Sequence, residues 1–392
     1  MTSWIAPSAI EAELYEAKLK GDWPRYFDVL ARHELFLAAP REHVDAEPDV
    51  IRFYPENDRQ LYVWTEGALP SPTDDTVFHA KDFGWYAAVW DDREDPPYLT
   101  VNPGTPCEAN LPAADRTRWT RHLQHVIDNE IAYGLPQDTV HTLRHAEPLA
   151  GPVAFGLAAG AHLSVRNGLF WNAPGYHGQG YLLEKRKLDD YWGVTTREDW
   201  LDVTERLLAA EVSTPVWEMP LHVRKVLAEH HGELPAIEEW RDEVAHAMRR
   251  SVSRTGAVRT EEELDHLIGE MQQLVGRILR YEQRFRADGL LSDGAYIRSV
   301  LAWDYGRASQ MARWGLGARL CTPAETEEAV VRAGEACREV YESWEDLSVG
   351  FVLGRCLHFD EEEFGEWYQE MVTAHRELMS DPESPWLGID FA

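Results

Sequence analysis

Apolar and polar positions change their period part-way along the chain. In the first third, short apolar or alternating runs predict strands at Leu35–Ala38, Val50–Tyr54, Leu61–Thr65, Trp85–Trp90 and Tyr98–Asn102. Gly, Pro, Asn and Asp clusters separate them, as turns require. Two short helices come first. Ser8 with Glu11 reads as a capping box for Ala9–Leu19, which Gly21 ends, and Pro24 starts a second helix to about His33. Pro112 leads a further helix, Ala113–Tyr133, up to Gly134. Residues 1 to about 145 therefore read as an α+β unit with a mixed sheet.

Beyond Leu149 the pattern changes. The segment Gly151–Leu163 is apolar and rich in small residues, which suits a tightly packed helix, and Asn172–Gly180 reads as a loop. Strand signals then largely vanish. Capping residues, helix-leading prolines and stops mark helices at Glu198–Glu211, Pro220 to about His230, Ile237–Met248, Glu261–Asp288, Tyr296–Trp314, Pro323–Tyr341, Ser343 to about His358, and Glu361–Ser380. Gly289 terminates the long one, and Gly315 with Gly317 is expected to break the next. No fixed-period repeat is present. The division expected is an α+β domain over 1–147, a Gly/Ala/Pro-rich connector with its own helix over 148–185, and a mainly α-helical domain over 186–392.

Charge narrows the class of partner. The 392 residues carry 38 Lys and Arg against 68 Asp and Glu, a net charge of −30. Such a surface repels phosphate backbones and anionic lipid, arguing against nucleic acid and membranes and in favour of a basic protein partner. Lys185-Arg186-Lys187, and Arg249-Arg250 with Arg254, are the densest basic runs and read as solvated faces. Four cysteines without C-x-x-C spacing suit reduced thiols in a cytoplasm. Met1–Ala12 lacks the basic and apolar regions of a signal peptide, and Leu149–Leu163 is too short to span a bilayer.

Candidate chemistry concentrates in Leu301–Gly317. On a helix, Trp303, Arg307, Gln310 or Met311, and Trp314 share one stripe. Arg307 can cover the Trp303 ring and pair with Asp304, one turn away. Two readings are open: a buried ion pair that specifies packing, or a pocket in which Arg307 and Arg313 grip a carboxylate or phosphate. Tyr341–Arg355 is a second such stretch, with Ser343 as cap, Trp344 at the first helical position, Gly350 and Gly354 at close-packing spacing, and Arg355 projecting. Trp192, followed by Gly193, suits a packed turn. The histidine pairs His122/His125, His141/His145 and His230/His231 lack H-E-x-x-H spacing and read as surface or core residues. Cys356 and His358 sit two apart, a poor dyad. No P-loop, G-x-G-x-x-G after a strand, or G-x-S-x-G elbow occurs, so no metal, cofactor or catalytic residue is implied.

The stretch A-W-D-Y-G-R-x5-R-W-G, the capped Thr322–Glu328 helix start, S-W-E-D-L and L-G-R resemble the bacterial domain-of-unknown-function family 1266, over about residues 150–360. Y-W-G-V-x3-E-D-W at 191–200 and Trp171-Asn172 resemble that family's opening segment. The positions that match are Trp303, Asp304, Arg307, Arg313, Trp314, Trp344, Gly354 and Arg355. The family implies architecture and no established activity. Two starting helices, Leu61-Tyr-Val-Trp-Thr65, and Val101-Asn-Pro-Gly104 before Leu111-Pro112 resemble the SseB-type N-terminal domain, over about residues 8–130. That resemblance implies a setting beside secretion and toxin–immunity systems. The function expected is a non-catalytic adaptor, chaperone-like or immunity-type factor. The alternative is an enzyme or small-molecule binder with an Arg/Trp-lined pocket for an anion.

Overall fold

The structure, a computed structural model, describes residues 4–56, 59–91, 96–144, 148–175, 178–213, 215–255 and 260–392. The N-terminal region runs α1 (Ala9–Lys20), α2 (Trp23–Ala31), β1 (Leu35–Pro40), α3 (Arg41–Ala46), β2 (Gln60–Trp64), β3 (Thr76–Lys81), α4 (Phe83–Asp91), β4 (Tyr98–Val101), β5 (Ala109–Leu111) and α5 (Arg116–Asp128). Its five strands form a mixed sheet in the order β3-β1-β2-β4-β5, with β2 and β4 parallel and the other pairs antiparallel. The alternation read from the sequence places one face of the sheet in the core. Leu35 and Leu37, Leu61 and Val63, and Leu99 and Val101 pack with Tyr26, Phe83 and Trp119 from the helices. The Val-Asn-Pro-Gly turn joins the sheet through Asn102, whose Oδ1 accepts from the Thr65 N–H at 2.8 Å.

The helical part consists of α6 (Gly151–Ala159), α7 (Ala161–Arg166), α8 (Tyr181–Trp192), α9 (Arg197–Leu208), α10 (Pro215–His231), α11 (Ile237–Thr255), α12 (Glu261–Asp288), α13 (Ala302–Gly317), α14 (Pro323–Val340), α15 (Trp344–Phe359), α16 (Glu366–Ser380) and α17 (Pro385–Gly388). The expected class, an α+β N-terminal region followed by a mainly helical part, is the observed one. Compactness divides the chain into two units that are discontinuous in sequence. One comprises Met1–Gly151, Asn167–Val203 and Met311–Glu328, and the other Pro152–Arg166, Thr204–Gln310 and Ala329–Ala392.

Local chemistry explains where the elements depart from expectation. Trp85–Trp90 lies in a helix, α4, not a strand. The Asp82 carboxylate accepts from the Trp85 N–H at 2.8 Å, and Phe83, Tyr86 and Ala87 bury one face at i, i+3, i+4. Val50–Tyr54 forms no strand, while Thr76–Lys81 and Ala109–Leu111 do. Ser8 does cap α1, but Glu11 does not complete the box. Its buried carboxylate instead accepts from the hydroxyls of Ser8 and Thr65, and burial raises its pKa.

In the helical part, α12 has the expected ends, with a complete Thr260–Glu263 capping box and Gly289 left-handed at φ +80°. Pro220 lies inside α10, which begins a turn earlier. Gly160 divides Gly151–Leu163 into α6 and α7. Gly193, at φ +63°, is the C-cap of α8. Gly315 does not break α13: a Cβ there would lie 2.1 Å from Trp200 Nε1, so this glycine makes room for an indole whose N–H donates to the Met311 carbonyl at 3.0 Å. The last long helix starts at Glu366 because the Asp360 carboxylate holds the preceding loop, accepting from the Phe364 and Gly365 N–H groups.

Candidate functional site

In the unit that holds Thr204–Gln310, the start of α13 is fastened by acceptors from elsewhere. Glu218 accepts from the Val300 N–H at 2.9 Å and the Ser299 hydroxyl at 3.1 Å, and Tyr341 Oη accepts from the Ala302 N–H at 2.8 Å. Burial lifts the Glu218 carboxyl pKa to about 7. One turn later, Asp304 is fully buried and accepts from the Val212 and Ser213 N–H groups, the Ser213 hydroxyl and the Arg307 guanidinium. Arg307 also donates to the Trp303 carbonyl and Ser213 Oγ, and its guanidinium lies 4.4 Å from the Trp303 ring centre. Both contacts expected for Arg307, the cation–π contact and the ion pair, are therefore present. Arg355 on α15 lies 5.8 Å from the same ring and donates to Glu370, which also receives Arg166. Gly354 lets α15 approach, since a Cβ there would come within 2.6 Å of Trp303 Cβ.

Trp303, Asp304, Arg307 and Arg355 thus form one group, and its guanidiniums are answered by carboxylates and carbonyls of the protein. Trp344 belongs to a different packing, stacked on Trp386 at 5.5 Å beside Phe155, with its N–H on the Ile389 carbonyl. Two polar motifs nearby carried no local signal in the sequence. Arg224 and Glu282 form a bidentate pair at 3.1 and 2.7 Å, both side chains under 5 % exposed, with Arg224 between Trp240 and Tyr296. Ser348 Oγ sits 2.8 Å from both His162 Nε2 and His375 Nδ1. Burial lowers both histidine pKa values, that of His375 to about 4, so both rings are neutral at pH 7. Ser348 is itself fully buried, which makes the relay a packed strut, closed to a substrate.

The other three residues lie in the other unit. Arg313, 2 % exposed, donates to the carbonyls of Ala173 and Phe170. That fixes the loop whose Asn172 side chain bonds both the N–H and the carbonyl of Leu143. Trp314 and Trp192 are half-buried neighbours, 6.4 Å apart. Each of the eight residues singled out packs against protein groups.

A different arginine cluster faces outward. Arg241 from α11 and Arg277 and Arg280 from α12 line a groove of about 560 Å³ with Gln272, Gln273 and Glu362. Gly276 forms part of its floor: a Cβ there would lie 3.1 Å from Arg280 Nη1 and 3.5 Å from Arg241 Nη2. Arg280 holds Glu362 bidentately at 2.5 and 2.8 Å, and Arg277 lies 3.7 Å from it. The Arg280 bond is the main cause of the lowered Glu362 pKa. The Arg241 Nε is buried without a hydrogen-bond partner. Sequence reasoning missed this group, although Gly269, Gln273, Gly276 and Arg280 recur at i, i+4, i+7, i+11 on one helix face.

The remaining candidates meet nearby protein groups. Lys185 pairs with Asp45, Arg249 with Asp265 and Glu261, and Arg250 with Glu243. His122 sits 2.5 Å from Asp28, and His231 3.0 Å from Glu239. His145, residues 176–177 of the Asn172–Gly180 loop and the Arg254 side chain lie outside the described residues. All four cysteines are free and buried, and burial pushes the Cys321 thiol up to about 12. Among the described residues no three of His, Cys, Asp and Glu gather as a metal ion would need, and no helix is long and apolar enough to cross a membrane.

A family model described as Protein of unknown function (DUF1266) matches residues 187–391, which include all eight residues singled out from the sequence and the groove arginines. No curated protein and no solved structure matches the chain. Since the matched span is more than half of the 392 residues, the chain belongs to the DUF1266 family.

Proposed function

We propose that this protein is a non-catalytic interaction factor of the bacterial cytoplasm, an adaptor, chaperone-like or immunity-type protein tied to secretion or inter-bacterial conflict. The observation that carries the reading is the state of the arginines and tryptophans. Asp304 is fully buried, and Arg307, Arg313 and Arg355 are each under 9 % exposed. Their hydrogen bonds run to carboxylates, a serine hydroxyl and backbone carbonyls of the protein. Charged groups used in this way specify packing and leave little for a substrate. The net charge of −30 favours a basic partner. The resemblance of residues 8–130 to the SseB-type N-terminal domain supplies the secretion and immunity setting.

The test is capture of cross-linked partners by the tagged full chain in its own cytoplasm. A single stoichiometric basic protein, released as salt rises toward 1 M, is the expected result, because contacts between exposed charges are screened. Absence of any stoichiometric partner overturns the reading, and so does a small molecule that copurifies and is lost in Arg307→Lys.

A further inference from the structure

From the α11–α12 groove we infer a binding site for a small polyvalent oxyanion, a phosphate ester or polycarboxylate, in which the Glu362 carboxylate is a built-in competitor. Three guanidiniums line the groove, and its one carboxylate, Glu362, answers two of them. Glu362 bonds Arg280 closely and lies 3.7 Å from Arg277, while no described carboxylate pairs with Arg241. A buried Arg241 N–H without a partner is costly unless something accepts from it. Gln272 and Gln273 add amide donors at the rim. Guanidinium forks suit the paired oxygens of phosphate and carboxylate. The lining holds no aromatic ring, so the ligand is polar throughout and has no base to stack.

Glu362 is carried by an unusual loop. Glu362 and Phe364 are non-glycine residues at φ +64° and +52°, a conformation that L residues seldom adopt. The loop is braced from outside. The Tyr281 hydroxyl donates to the Asp360 carboxylate at 2.8 Å and accepts from the Glu362 N–H at 3.1 Å. An incoming anion can displace the side chain while the braced backbone stays in place. The negative field of the whole protein opposes anions, but at physiological salt it is screened within about 8 Å. At the groove, the nearby guanidiniums decide.

The experiment is isothermal titration of the full chain with pyrophosphate and, separately, citrate. Pyrophosphate or citrate binding at millimolar concentration or below supports the site, and the tighter of the two identifies the source of the oxyanion. Arg241→Gln with Arg277→Gln is expected to weaken binding about tenfold or more, since two charge-assisted contacts go. Glu362→Gln is expected to strengthen it several-fold by removing the competitor. This opposite sign is a readout that misfolding would not produce. Arg249→Gln, on the same helix outside the groove, should leave the affinity unchanged. Neither anion binding up to about ten millimolar, an unchanged affinity in the double variant, or weaker binding in Glu362→Gln overturns the site.

Discussion

The Trp303 cluster and the α11–α12 groove use the same side chain under opposite conditions. Around Trp303, each guanidinium is nearly removed from water and has a carboxylate to hold, Asp304 for Arg307 and Glu370 for Arg355. Desolvation lowers the pKa of both arginines, and their carboxylates act against it. In the groove Arg277 and Arg280 share Glu362, no described carboxylate pairs with Arg241, and the Arg280 side chain is 56 % exposed. The difference teaches that arginine beside aromatics is no sign of a ligand by itself. What distinguishes a site is cationic groups that outnumber the acceptors the fold supplies.

Breaking a buried pair should cost most. Glu282→Ala leaves Arg224 buried without its carboxylate and should lower unfolding stability by about 3–5 kcal/mol. Urea denaturation measures it, and a loss under about 1 kcal/mol would show that the pair is solvated.

The buried histidines come next, with a pH signature. The folded-state pKa of His375 is about 4 against an ordinary 6.5, so between those values the unfolded chain binds a proton that the folded chain refuses. Stability from this group is complete above pH 6.5 and falls as pH falls toward 4, by up to about 3 kcal/mol. Glu218 acts with the opposite sign, its raised pKa of about 7 making stability fall as pH rises from 4.5. Denaturation midpoints from pH 7.5 to 4 should therefore fall less steeply in His375→Gln than in the wild type.

A smaller effect is expected of Arg307→Lys. The charge remains, but the fork that reaches Asp304, Ser213 and the Trp303 carbonyl is lost, which should cost about 1–2 kcal/mol. In the groove the corresponding change is smallest. Arg277→Gln removes a guanidinium 3.7 Å from a shared carboxylate and should move stability by no more than about 0.5 kcal/mol. If the two substitutions cost the same, the contrast between cluster and groove fails.

Much of the helical part was legible. Thr260, Glu263 and Gly289 mark the ends of α12, and Asp304 with Arg307 reads as a pair, because capping and i, i+3 contacts are local. Trp85–Trp90 was misread because aromatic richness suggests a strand, whereas the Asp82 cap and the Phe83, Tyr86, Ala87 spacing make it helical. Gly315 was misread because a glycine in isolation signals a stop, and only the Trp200 indole explains it.

By itself the sequence determined the class of each region, the ends of its best-capped helices and the short-range contacts of Arg307, since these depend on residues within about one turn of one another. Tertiary structure alone decided which charges are buried and what answers them. Asp304 meets Ser213, Arg313 meets the carbonyls of Phe170 and Ala173, and Arg241 shares a groove with Arg280, partners far apart in the chain. Whether a guanidinium holds the fold together or faces solvent depends on desolvation and on the count of nearby acceptors, and neither quantity exists until the helices pack.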